Sequence, residues 1–135
     1  MYITDGIVEQ HIHGAFGYDF MNCSVEDICL VSEMLLENGV TAFFPTVMTE
    51  KKKKIKERIQ VIKEAKNKQQ VKSAQIVGIH LEGPFINPEK AGIHEKKYIM
   101  PLKIDLFKEL EDEIIKIVTL APELDNEMSF IKYLK

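Results

Sequence analysis

Apolar residues arrive in short dense blocks separated by polar stretches of helical length, and the two block types alternate along the chain. Residues 7–13, 40–44, about 75–81 and 114–120 are short and rich in β-branched and aromatic side chains, which predicts four strands. Between the first two, Ser24 is a good N-cap, Ile28, Val31 and Leu35 form an apolar stripe, and Gly39 stands where a left-handed C-terminal cap belongs. Pro45 ends the second strand in this reading, and Thr49 caps the next helix, along which Ile55, Ile59 and Ile62 recur at helical spacing. A long loop with Pro84, Pro88 and Gly92 follows the third strand, then a helix over 104–111, and Ala121-Pro122 stops the fourth strand.

Strand alternating with helix four times, with nearly continuous apolar strands, predicts parallel β/α units whose strands are covered on both faces. The fold class expected is α/β, a partial (β/α) barrel of the TIM type with about four units in one domain, 1–135. The polar motifs fall just past the strand ends. In open α/β sheets and in barrels, that carboxyl edge is where ligands bind.

Composition narrows the classes. A chain of 135 residues with 45% hydrophobic positions suits one domain with a real core. No stretch approaches the roughly 18 uninterrupted apolar residues of a membrane span, and residues 1–5 lack the basic and apolar regions of a secretory signal, so a cytoplasmic protein is expected. Cys23 and Cys29, six apart, fit neither a metal knuckle nor a disulfide framework and read as packing residues. Residues 51–72 carry ten Lys or Arg against two Glu, but no aromatic side chain lies among them to stack on a base. They predict a solvated helix face, and nucleic acid is not an expected partner.

The candidate chemistry lies elsewhere. His11 and His13 are two apart on one strand and so share a face, where two imidazoles can bite one metal ion. His80 and Glu82 repeat that spacing at the end of the third strand. A buried carboxylate must be protonated, hydrogen-bonded or charge-compensated, and either a divalent cation or a lysine would serve Glu82. His80 reads as a hydrogen-bonded core imidazole, Gly83-Pro84 alone as a turn, and His94 alone as a loop histidine.

The blocks HIHGAFGYDF, GVTAFFPTVMT, GIHLEGPFINPEKAGIHEKKYI and IVTLAPE, from about Gly6 to Glu123, together resemble the N-acetylglucosamine-6-phosphate deacetylases of the amidohydrolase superfamily. The HLEGPF…GIH block is the most specific of them, and HxH is shared more widely. The resemblance implies hydrolysis of the acetamide of an amino sugar phosphate. It also implies one or two divalent ions, zinc or iron, with Glu82 as a ligand, His11 and His13 available at a second site, and Ile93-His94 against the sugar. A metal that acidifies water and polarises the acetyl carbonyl suits that reaction.

The lead-in departs from the family's Pro-Gly-x-x-Asp, with Asp5-Gly6 and Glu9 in its place. A complete barrel takes on the order of 250 residues and eight units. The family's further metal-binding histidines, its general acid–base aspartate, its phosphate-binding residues and its small β domain have no counterpart here. The 135-residue chain is therefore expected to be inactive alone, and open strand edges predict a homo-oligomer. The alternative is a non-catalytic metal-binding or interaction module on the same half-barrel.

Overall fold

The computed structural model describes residues 3–135; Met1 and Tyr2, the first two of the five residues read above as lacking a secretory signal, lie outside it. The elements run β1 (Ile7–Ile12), β2 (Gly14–Ala15), β3 (Tyr18–Asp19), α1 (Val25–Glu37), β4 (Val40–Met48), α2 (Lys52–Lys68), β5 (Gln75–Ile76) and β6 (Ile79–Glu82). Then come α3 (Ile104–Lys108), β7 (Ile115–Thr119) and α4 (Ser129–Leu134), with 3-10 turns at Pro88–Lys90, Lys96–Tyr98 and Pro122–Leu124. The main sheet has the order β1-β4-β6-β7, every pair parallel, with β5 also beside β4. It does not close into a barrel: β1 and β7 are its open edges.

Local chemistry accounts for α1. Ser24 Oγ accepts the Asp27 N–H at 3.1 Å while Asp27 accepts the Ser24 N–H at 2.9 Å, a reciprocal capping box. The helix stops at Gly39, whose φ of +85° is the conformation glycine adopts without strain. The stripe Ile28, Val31 and Leu35 is buried, as is Ile55, Ile59 and Ile62 of α2. Phe43, Val47, Ile79 and Leu81 extend this core onto the sheet, and Phe85, Phe107 and Phe130 close it beyond β6, with the Phe85 and Phe130 rings 5.0 Å apart.

The structure corrects several expectations. β4 runs straight through Pro45 to Met48. Pro45 stands opposite Ile12, where the β1–β4 register shifts and the Ile12 N–H turns to the Thr46 hydroxyl at 3.1 Å, and a locally irregular ladder of this kind tolerates a residue with no N–H. Thr49 does not cap α2, which begins after Lys51 without a side-chain cap; its hydroxyl instead donates to the Glu82 carbonyl at 3.3 Å. The third strand is broken at Val77-Gly78, where a Cβ on Gly78 would lie 2.3 Å from the Lys116 side chain. α3 is one and a half turns long, and the loop after β1 holds the small β2–β3 hairpin. The two faces of the sheet also differ in character. Leu81 belongs to the apolar core, whereas the alternating positions Thr46, His80 and Glu82 form a polar inner surface.

Candidate metal centre

Alternation along β6 aims His80 and Glu82 at the inner surface, and Met48 and Thr46 sit beside them on β4 in matching register. His11, on the neighbouring strand, and His13, one residue past its end, come to the same place. One donor atom from each of His11, His13 and Glu82 lies within 4.8 Å of the others. The two imidazole Nε2 atoms are 3.1 Å apart, and they stand 3.4 and 3.5 Å from the two carboxylate oxygens of Glu82.

These spacings allow a test of whether the residues suit an ion. Ligands at about 2.0–2.1 Å around a tetrahedral ion stand about 3.3 Å from one another. Glu82 Oε2 is buried without a hydrogen-bond partner, and among the described residues the basic side chains within 4 Å of the Glu82 carboxylate are all histidines, with no lysine in reach. Imidazole, imidazole and carboxylate with an unmet acceptor are a fitting donor set for a divalent cation. His11 and His13 remain about half exposed, so the site opens to solvent on the β1 side.

The loop after β6 folds back over this point. Gly83, with φ +81°, turns the chain where a Cβ would meet Thr49 Oγ1 at 2.1 Å, so no other residue fits there without displacement. The Met100 N–H returns to the Pro84 carbonyl at 2.9 Å and closes the loop on itself. His94 is thereby carried inward: its side chain is 10% exposed, Nε2 is 3.9 Å from Glu82, and Nδ1 is buried without a partner. Ile93 points the other way, 83% exposed to solvent.

His80 behaves as the hydrogen-bonded core imidazole expected of it. Its Nδ1 meets Thr46 Oγ1 at 3.2 Å and its Nε2 meets Thr119 Oγ1 at 2.7 Å. Burial, followed by the neighbouring His11, holds it below the ordinary histidine value against the opposing pull of Glu82, so the ring is neutral near pH 7. Sequence reasoning missed Thr46 and Thr119. Their sequence signal is only a threonine near a strand end, which becomes meaningful once strand register is known.

Fold and centre together define a class: a parallel β/α sheet of the barrel-forming kind with a cluster of candidate metal ligands at its carboxyl edge. No protein-family model matches the chain. Comparison with known proteins gives a more particular likeness. The chain is 38% identical over 138 residues to the N-acetylglucosamine-6-phosphate deacetylase of Bacillus subtilis, covering 98% of this chain and 35% of that protein. The crystal structure of N-acetylglucosamine-6-phosphate deacetylase from Pasteurella multocida superposes with a TM-score of 0.79 at 27% identity, over 95% of this chain and 35% of that one. That of the Thermotoga maritima deacetylase gives 0.76 at 32% identity, over 96% and 34%. Over nearly its whole length the chain is similar to the amino-terminal part of these N-acetylglucosamine-6-phosphate deacetylases, and it spans about a third of the length of these relatives.

Proposed function

We propose that the chain contributes the opening strands and part of the metal centre of a deacetylase that hydrolyses N-acetylglucosamine 6-phosphate to glucosamine 6-phosphate and acetate. The observation that supports this most directly is the convergence of His11, His13 and Glu82 at the carboxyl edge of the sheet. In this reading those three side chains hold a divalent ion, zinc in the first instance and iron as the other candidate, at one or two positions. A bound ion of this kind polarises a carbonyl and acidifies water. The chain's own residues do the holding and orienting: β6 delivers Glu82 on a rigid element, Gly83 turns the backbone clear of it, and the loop sets His94 beside it to meet the sugar, with Ile93 next to it.

Amide hydrolysis also needs a proton for the leaving amine, and such help is commonly worth about 10² to 10⁴-fold. Among the described residues, no aspartate joins the cluster. We therefore propose that the 135-residue chain alone lacks meaningful turnover and that the acid comes from outside it. The open edges β1 and β7, with Ile7 and Val8 half exposed on β1, favour self-association or pairing with further strands. No helix among the described residues is long and apolar enough to cross a membrane. The proposed setting is the cytoplasm.

The test has two readouts on the purified chain with added zinc, each beside Glu82→Ala. Zinc retained through gel filtration by the wild type and lost by the variant is expected; no retained zinc overturns the metal reading. Acetate release from N-acetylglucosamine 6-phosphate is expected to be absent. Turnover abolished by Glu82→Ala would show that the chain, or two copies of it, completes the site.

A further inference from the structure

We infer that Thr46, His80 and Thr119 form a cross-strand positioning relay that sets His11 and His13 at ligand distance from Glu82. The inference rests on the metal reading above and concerns residues outside the ligand trio.

The relay takes one group from each of β1, β4, β6 and β7, and runs obliquely across the register, since Thr119 stands opposite Glu82 and Ile12 opposite Pro45. From β1, the Ile12 N–H reaches Thr46 Oγ1 at 3.1 Å; from β4, Thr46 Oγ1 meets His80 Nδ1 at 3.2 Å; from β6, His80 Nε2 meets Thr119 Oγ1 of β7 at 2.7 Å. Ile12 is the residue between His11 and His13. Its N–H would ordinarily join the backbone ladder, but the register of β1 on β4 shifts between Glu9 and Ile12. The Thr46 hydroxyl therefore replaces a ladder bond and fixes the height at which both histidines leave the strand. Its oxygen accepts from Ile12, which leaves its single hydrogen for His80 Nδ1. His80 Nε2–H then donates to Thr119, so both ring nitrogens are engaged and neither is free to ligate.

His80 acts on the trio through its ring as well. Its centroid lies 4.6 Å from that of His11 with the planes 89° apart, so the immobilised ring of His80 backs the ring of His11. Thr46 and His80 are buried and Thr119 is exposed, so the relay is anchored from the interior, where satisfied hydrogen bonds hold their members more rigidly than exposed pairs do. Groups that orient metal ligands without touching the metal commonly change affinity by about 10 to 100-fold when removed. Ser32 supplies an internal contrast. Its hydroxyl is as buried as that of Thr46, yet it bonds only to Ile28 O at 2.7 Å within α1.

The experiment is a Co(II) titration of the 135-residue chain followed by visible absorption, with Zn(II) competition and a thermal melt of each metal-free protein. The variants are Thr46→Val, Thr46→Ser, Thr119→Val, Ser32→Ala and Glu82→Ala. Thr46→Val and Thr119→Val are expected to weaken Co(II) binding about 10 to 100-fold and to change the visible bands. Thr46→Ser, which keeps the hydroxyl, restores most of the affinity, and Ser32→Ala lowers the melting temperature without touching the spectrum. Should Thr46→Val fail to fold, Thr119→Val on the exposed edge strand carries the decision. Wild-type affinity and bands in whichever threonine-to-valine variants fold, with Glu82→Ala inactive in binding, overturn the relay alone. A wild type that binds no Co(II) overturns the metal reading, and the relay with it.

Discussion

Helix α2 and the carboxyl edge of the sheet both gather ionisable side chains, and they differ in what those side chains lack. On α2, Lys63 pairs with Asp112 at 3.0 Å, Lys68 with Glu64 at 2.7 Å, and Lys52 with Glu109, while Ile55, Ile59 and Ile62 lie buried beneath. Every one of those cations has water or a carboxylate to face, and such pairs add little to stability. The carboxyl edge has fewer charges and more unmet demand. Glu82 is 17% exposed with one oxygen unpartnered, and His94 keeps a buried nitrogen with no partner. A helix face rich in lysine is solvated surface, whereas a few convergent donors that protein groups do not satisfy mark a place built for something else.

Exchanging those demands breaks the comparison in opposite directions. Glu82→Ala is expected to weaken metal binding by more than about 100-fold, since it removes a proposed ligand, while the metal-free protein melts no lower because an unpartnered carboxylate oxygen is gone. Calorimetric titration and a melt on the same sample check both halves; a lower melting temperature would mean that Glu82 is structural. Ile62→Ala beneath the lysines should do the reverse, costing about 2–5 kcal/mol in denaturant unfolding and leaving metal affinity intact in the folded fraction. Gly83→Ala sits between the regimes. Its φ of +81° and the 2.1 Å approach to Thr49 Oγ1 predict a loss of about 1–3 kcal/mol together with weaker metal binding, because the strained residue adjoins Glu82.

The elements with strong local rules were legible in the sequence. Ser24, Gly39 and the two apolar stripes identify α1 and α2, and the alternation of strand with helix identifies the parallel sheet. Pro45 and Thr49 misled, because each obeys its neighbour across the sheet rather than its neighbours in the chain: Pro45 faces a register shift, and Thr49 serves the Glu82 carbonyl. The site divides in the same way. His11, His13 and Glu82 announce themselves by spacing of two on strands, and the block around Glu82 carried the family resemblance. Thr46 and Thr119 are ordinary β-formers until β4 and β7 are set against β6, so their contribution depends on pairing that no local pattern states.

The smallest expected effect sharpens the comparison from the α2 side. Asp112 is raised by burial but drawn down further by the Ile114 N–H and by Lys63, and lies below the ordinary aspartate value of about 3.9. Its folded pKa is depressed, so the stability it contributes is fully present above the unfolded value and is lost as pH falls through the folded one. Melting temperatures measured from about pH 5 down to about pH 2 should therefore fall more steeply for the wild type than for Asp112→Asn, which keeps an acceptor for Ile114 but has no charge to lose. Lys63→Met should flatten the curve by a smaller amount, since it removes the ammonium and leaves the backbone bond in place. Parallel curves for all three proteins would mean that the Lys63–Asp112 pair is electrostatically idle.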